Sequence, residues 1–471
     1  MEDTMTLKAC IKMLSLPVSV CALMVIFFAN VDTTHAAAAK SMMDYYLPMP
    51  MYQNRLESTG VWGVKNVVPR YIYNGIEDSS CKKYSYWDGK IIKGKDGKYH
   101  LYCSRWDQAA GHGGWGGSTA VHAVSDSITG PYIDKGPMYT WNNGKGHNVT
   151  ALTLPDGKIA VSVTEIVPLT IFTATDPNGP FTQLGSVQIN TNGHNTGGAV
   201  LTSNWTVCMR DDSTYLATCR DGFVMLSTTG ILGPYLVKTD KIWPATLTGY
   251  NTSTWEDPVI WHSGKKYYCT VNSWASKKAI YLTSDDGVTN WKYGGEAYSP
   301  LNQTFLRYTN GKKNVWCKME RPNVYAENNI LKYLTFAVID TEKEADLGND
   351  NHDSKVIVVP FNGAGFDGIT AINPGISREN GTPAISLFVE NAGAMTQRIR
   401  VSPSGYLDGV SSVTIDIYTI SGDRITRIDN APVTGGGISL NTALGPKLGA
   451  GTYLINLRQG NRNVQGHLVI K

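Results

Sequence analysis

Ser125-Asp126-Ser127-Ile128-Thr129-Gly130-Pro131-Tyr132 decides the fold, because its closing turn returns further along the chain. Thr175-Asp176-Pro177-Asn178-Gly179-Pro180-Phe181 and the stretch from Ser227 to Gly233-Pro234-Tyr235 repeat the Gly-Pro-aromatic corner, 49 and then 54 residues on. Thr283-Ser284-Asp285-Asp286-Gly287 with Trp291 makes a similar outer turn. Repeats of this length, each holding several strands, mark propeller blades. Alternating apolar and polar stretches precede the corners, as in Lys98-Tyr99-His100-Leu101-Tyr102-Cys103-Ser104 and Ser118-Thr119-Ala120-Val121-His122-Ala123-Val124, and helical periodicity is weak.

Composition agrees. The 471 residues include 48 Gly, 25 Tyr and 12 Trp, and only 17% are charged, against roughly 25% in an average globular protein. Disorder and a long coiled coil are both excluded by this profile. A net charge of +3 gives little long-range field, so nucleic acid is not an expected partner.

Reading back from each corner gives five innermost-strand starts: Trp87-Asp88-Gly89, Gly146-His147-Asn148, Gly193-His194-Asn195, Trp255-Glu256-Asp257-Pro258 and Met319-Glu320-Arg321-Pro322. The expected fold is all-β, a five-bladed β-propeller over 37–376 followed by a small C-terminal β-sandwich over 377–471, where aromatic residues become scarce. The last blade carries a different tail, and Lys355 to Pro360 is expected to supply a strand that closes the ring. Before the propeller, Lys8 and Lys12 precede an apolar run from Met13 to Ala29, with small residues at Thr34-His35-Ala36. This reads as a signal peptide over 1–36, because the run is short for a membrane span and Pro17 interrupts it. The expected chain is therefore exported, to the cell surface or beyond, with no membrane span after processing. Six cysteines follow the signal segment, which permits disulfides without assigning them.

Innermost strands of a propeller converge on one axis, so groups at their starts gather into a single funnel. Glycoside cleavage needs a protonated group for the leaving oxygen and an ionised carboxylate to activate water or attack carbon. Asp88, Asp257 and Glu320 are the candidate catalytic carboxylates, with Glu320 the preferred proton donor and His194 the alternative. His147 repeats the Gly-His-Asn context of His194 and is expected to bind substrate. Glu256 and Arg321 flank the carboxylates, with only one of Glu256 and Asp257 expected to face the funnel squarely, because neighbours on a strand point to opposite faces. Pro322 is expected to keep the chain extended at Arg321. The Gly- and Trp-rich loop from Ser104 to Gly117 offers Arg105, Trp106, His112 and Trp115, and Trp274 offers a further stacking face for a sugar. The tail from Asp346 to Asp353 carries oxygen ligands suited to a structural Ca²⁺, though without EF-hand spacing. No other cofactor is expected.

These blade starts, with Trp255-Glu256-Asp257-Pro258-Val259-Ile260-Trp261 and the Gly-Pro-aromatic corners, resemble the five-bladed glycosidases of the family 43 superfamily. That group includes arabinanases, xylosidases, invertase-like enzymes and neoagarooligosaccharide hydrolases. The resemblance implies a glycoside hydrolase trimming terminal sugars from a plant or algal polysaccharide, with Asp88 as base and inversion of configuration. His-Asn at the second and third starts and Asp-Gly at the first depart from the usual acids and Asp-Pro. A polysaccharide lyase acting beside a uronic acid and a non-catalytic glycan-binding propeller remain the alternative readings. The C-terminal stretches Ile417-Tyr418-Thr419-Ile420-Ser421-Gly422, Ala450-Gly451-Thr452-Tyr453 and the terminal Lys471 resemble the sorting domain of type IX secretion substrates, which implies a secretion machinery as partner. A carbohydrate-binding or immunoglobulin-like module is the alternative for this part.

Overall fold

A computed structural model describes residues 41–51, 71–78, 80, 82–302, 305–350 and 352–368, together with strands between 386 and 470. The signal-peptide segment and the boundary near Ser377 lie outside the described residues, as does Cys81. Among the described residues, no helix is long and apolar enough to cross a membrane.

Among the described residues of this part of the chain, five sheets, antiparallel except for one edge strand, follow one another. The first holds β1 (Tyr84–Lys93), β2 (Tyr99–Asp107), β3 (Thr119–Ser125) and β4 (Ile133–Pro137), paired in that order. The second holds β5 (His147–Thr153), β6 (Ile159–Thr164), β7 (Thr170–Ala174) and β8 (Thr182–Ser186). In the third, β10 (Thr206–Met209), β11 (Tyr215–Thr218), β12 (Val224–Ser227) and β13 (Tyr235–Val237) are joined at the outer edge by β9 (Ile189–Asn190), parallel to β13. The fourth comprises β14 (Trp255–Ser263), β15 (Lys266–Ser273), β16 (Lys278–Ser284) and β17 (Lys292–Tyr298). The fifth has β18 (Lys318–Glu327), β19 (Ile330–Ile339) and β20 (Ser354–Pro360). The Gly-Pro corners fall between the third and fourth strands of the first three sheets, with Gly130, Gly179 and Gly233 all at positive φ.

The core is a set of apolar seams between neighbouring sheets. Tyr102 and Ala120 meet Val161 and Phe172 between the first and second sheets, and Ala160 and Ile171 meet Trp205 and Tyr235 between the second and third. Leu216 and Val224 pack with Ile260 and Cys269, and Val259 and Tyr268 with Phe336 and Ile357. Leu101 and Val121 then meet Val356 and Val358, so the fifth sheet packs on the first and the fold is a closed β-propeller. Burial of both faces also takes polar residues inside the strands, such as His122, Ser162 and Thr335, out of solvent with their apolar neighbours.

Closure is reinforced from the N-terminal side. Ile76 exchanges backbone hydrogen bonds with Val356 of β20, and Asn74 bonds both the N–H and the C=O of Val358. Gly75 donates its N–H to Thr129 and accepts from Tyr132 at the first Gly-Pro corner. A short segment thus ties the last sheet to the first. Gly75 has φ +72, and an added Cβ would stand 1.8 Å from the Val356 oxygen. Gly75→Ala is expected to destabilise the protein by about 1–3 kcal/mol through forced left-handed strain, read as a lower thermal midpoint. An unchanged midpoint would show that this tie does not hold the ring.

In the C-terminal part, β21 (Ser386–Asn391), β22 (Gln397–Ser402), β23 (Ser412–Thr419), β24 (Arg424–Thr434), β25 (Gly437–Leu440), β26 (Gly451–Gln459) and β27 (Arg462–Ile470) form one antiparallel sheet in the order β21-β22-β25-β24-β23-β26-β27. Its edge strands β21 and β27 contact one another, as when a sheet folds over on itself. Val413, Ile415, Ile417, Ile455 and Leu457 are buried in it.

Cys103, Cys208, Cys219, Cys269 and Cys317 carry free thiols.

Candidate active site

The first strands of four sheets begin with the same irregularity. Register shifts occur at Trp87/Lys90 in β1, His147/Thr150 in β5, Glu256/Val259 in β14 and Glu320/Asn323 in β18. Each is a β-bulge, with a non-glycine residue in the left-handed region: Asp88 (φ 52), Asn148 (φ 50), Asp257 (φ 56) and Arg321 (φ 45). Asn204 (φ 45), just before β10, is the counterpart in the third sheet. Asn and Asp tolerate this conformation better than other side chains, and strained backbone of this kind concentrates at functional sites. Arg321 is left-handed although Pro322 follows it, so the bulge overrides the extended backbone that the proline predicts.

A bulge breaks the strict alternation of a strand. Both Glu256 and Asp257 therefore line the axial cavity, where strand alternation predicts only one. The cavity holds about 360 Å³ and is lined by residues from all five sheets, among them Trp87, His147, Asn204, Glu256, Asp257 and Glu320. That volume lies within the range of roughly 300–1,000 Å³ usual for small-molecule sites.

One oxygen each from Glu256, Asp257 and Glu320 lies within 4.8 Å of the other two. Cations border this trio. Arg220 Nη2 donates to Glu256 Oε2 at 3.1 Å, Arg321 Nη1 to Asp257 Oδ1 at 3.4 Å, and the Lys343 ammonium is in close contact with Glu320 Oε2. Such a trio can hold a metal ion, and here Arg321 and Lys343 pair with Asp257 and Glu320 while Arg220 bonds Glu256. Burial, together with Asp257 and Glu320, pushes Glu256 up to about 8, which favours its protonated form. Burial raises Asp257 too, against the pull of Arg321. Lys343 is held above its usual range: burial pulls it down, but Glu320, Glu256 and Asp257 outweigh that.

Asp88 is fully buried and does not line the cavity, although Trp87 beside it does. Its carboxylate accepts from the Ser104 N–H at 2.9 Å and from the Ser104 hydroxyl, and also from the backbone of Val149. Burial lifts it to about 7, opposed chiefly by Arg321. His147 lines the cavity with Nδ1 3.0 Å from the Ser118 hydroxyl. Burial, with Arg321 and Lys343, drives it down to about 3, so it is a neutral ring at working pH.

The Gly-rich loop supplies one wall. His112 and Trp115 line the cavity, and Trp115 remains 40% exposed beside His147, with 5.1 Å between ring centroids. Trp106 is buried behind this wall, donating Nε1–H to Gly111 O at 2.9 Å and packing edge-on against His112. Gly111 (φ +59) allows the loop to approach the backbone of Asp346 so closely that an added Cβ would come within 2.2 Å of its oxygen. The segment after β19 is laced to it in this way, which places Lys343 and Glu344 in the cavity.

Other sequence candidates lie elsewhere. The third start is at Ser203-Asn204-Trp205, not Gly193-His194-Asn195: His194 follows β9 at the sheet's outer edge, where its Nδ1 is 3.2 Å from Asp240. Arg105 pairs with Asp134 over the Tyr84 ring, away from the cavity. Trp274 is 39% exposed outside the cavity, with the Lys318 ammonium 5.5 Å from its ring centre. Arg321 is buried behind the carboxylates. In the tail, Asp346 and Asp350 cap local turns and Asp353 accepts from the Ser85 hydroxyl. Asn204, Glu165, Arg220, Lys343 and Glu344 complete the lining without a sequence motif. Glu165 accepts from the Asn204 N–H.

No protein-family model matches the sequence, and no curated protein matches it. Among solved structures, the chain is similar to a GH62 hydrolase in complex with xylotriose, at 12% identity over 61% of this chain and 94% of that one, with a TM-score of 0.42. It is also similar to a family 117 glycoside hydrolase from the marine bacterium Zobellia galactanivorans, at 11% identity over 61% of this chain and 88% of that one, TM-score 0.42. A third is a GH43 β-1,3-galactosidase with galactodeoxynojirimycin, at 12% identity over 65% and 94%, TM-score 0.40.

Proposed function

We propose that the chain is a glycoside hydrolase, built on a five-bladed propeller, that removes a terminal neutral sugar from a polysaccharide or oligosaccharide of plant or algal type. The observation that carries this reading is the trio of Glu256, Asp257 and Glu320 in the axial cavity, one oxygen of each within 4.8 Å of the other two, with burial and its neighbours raising the pKa of Glu256. A carboxylic acid that keeps its proton near neutral pH is what the leaving oxygen of a glycoside requires. Glu256 is the proton donor in this scheme, replacing Glu320, whose carboxylate is occupied by Lys343. Asp88 does not line the cavity and instead braces the β1 bulge through Ser104 and the Val149 amide, so Asp257, which lines it beside Arg321, is the carboxylate that activates water. Trp115, 40% exposed in the cavity wall, presents a face for the sugar ring.

Of the five carboxyl groups lining the cavity, Asp257 and Glu320 pair with Arg321 and Lys343 and Glu256 is bonded by Arg220, while Glu165 and Glu344 add negative charge. Such a lining repels uronate and sulfate groups. That favours hydrolysis of neutral sugars over lyase chemistry, which needs a substrate carboxylate to be neutralised. Export through the N-terminal signal segment and handling of the C-terminal sheet by a type IX secretion machinery belong to the same proposal, resting on the sequence.

The test is a panel of neutral and uronate-containing glycans, followed by mass and ultraviolet absorbance. Hydrolysis releases a monosaccharide with no new absorbance; an unsaturated product indicates a lyase, and no product a binding protein. The donor must be protonated and the base ionised. Activity should therefore rise with pH as Asp257 ionises, above the usual carboxylate range, and fall as pH passes about 8 for Glu256. A flat profile from pH 5 to 10 would remove both assignments.

A further inference from the structure

A second cavity, of about 410 Å³, adjoins the axial one. Its walls continue those of the first: Ser203 precedes Asn204, Trp255 precedes Glu256, and Arg220 lines both. Arg220 is also the residue that bonds Glu256, at 3.1 Å. The second cavity therefore opens on the side of the axial cavity where the proton donor stands. Chemistry fixes what must lie on that side, because a general acid has to reach the oxygen of the departing group.

We infer that this second cavity, between loop 196–203 and the start of β14, binds the saccharide segment that leaves, while the axial cavity holds the terminal sugar. The inference rests on the hydrolase reading. The lining suits an uncharged polyhydroxylated ligand: Ser203 and Ser253 contribute hydroxyl groups, and Lys241 is neutralised by Asp221 at 2.8 Å. Arg220 would meet both halves of a bound chain, which makes it a positioning residue for Glu256.

The test measures binding in the full-length Glu256→Gln protein, so that cleavage does not interfere. Calorimetry with xylose, xylobiose and xylotriose, and with the matching arabinose and galactose series, gives affinity against chain length. Lengthening the sugar should tighten binding at least tenfold, and Ser253→Trp, which fills the second cavity, should abolish that gain. Lys241→Ala, a milder surface change, should reduce it. The monosaccharide's own affinity is the internal reference for folding. A gain that survives both substitutions, or no gain with length, overturns the inference. A gain that Ser253→Trp removes, in a protein whose unmutated form cleaves none of these sugars, overturns the hydrolase reading and keeps the second saccharide site.

Discussion

Glu256→Gln is expected to lower kcat on saccharide substrates by roughly 100- to 10,000-fold, the range for loss of a general acid, with little change in KM. The substitution is nearly isosteric. Gln keeps a polar group beside Arg220 and the cavity wall, so binding is preserved while the transferable proton is lost. The defect should depend on the leaving group. An aryl glycoside whose phenol is strongly acidic needs no proton to depart, so the variant should hydrolyse a dinitrophenyl glycoside at a rate near that of the unmodified protein. The fall in activity above about pH 8 should also vanish in the variant, because that fall reports Glu256 losing its proton. Equal defects on acidic and ordinary leaving groups would assign Glu256 to substrate binding instead.

Arg321→Met should produce the largest loss of stability. The guanidinium is 5% exposed, bonds Asp257 and lowers the pKa of both Asp257 and Asp88. Removing it leaves two buried carboxylates without their shared counter-charge, which typically costs about 3–5 kcal/mol. At about 2–4 °C per kcal/mol, the thermal midpoint should drop by roughly 6–20 °C. The pH dependence carries the mechanism. Both aspartates have raised pKa values, so each is more easily ionised in the unfolded chain than in the folded one, and ionisation opposes folding as pH rises. Without Arg321 that opposition grows, and the deficit relative to the unmodified protein should be larger at pH 8 than at pH 5. Equal deficits at the two pH values would mean that the loss comes from packing alone.

The propeller was legible in the sequence because its signals are local. The corners at Gly130, Gly179 and Gly233 sit in chain order, and the blade starts at Trp255-Glu256-Asp257-Pro258 and Met319-Glu320-Arg321-Pro322 carry their acids within a few residues. The third start was not legible: Gly193-His194-Asn195 copies the motif at His147, yet the two-residue strand before it pairs on the outer edge, and Asn204 occupies the axis with no acid or histidine to mark it. Arg220, Lys343 and Glu344 could not be read either, since each reaches the cavity from a loop that only the closed ring brings near. The assignment of the proton donor needed the structure most of all. Sequence alternation sets Glu256 and Asp257 on opposite faces, and it takes a bulge to turn both toward the axis. Once there, burial and crowding decide which of the carboxylates keeps a proton, and neither is written in residue order.

The most direct measurement is a crystal structure of the Glu256→Gln protein with a bound neutral trisaccharide that the unmodified protein cleaves. The account predicts the terminal ring in the axial cavity against Trp115, the glycosidic oxygen within hydrogen-bond reach of residue 256, and the remaining rings running past Arg220. A sugar bound elsewhere on the propeller, or a glycosidic oxygen out of reach of residue 256, would contradict it.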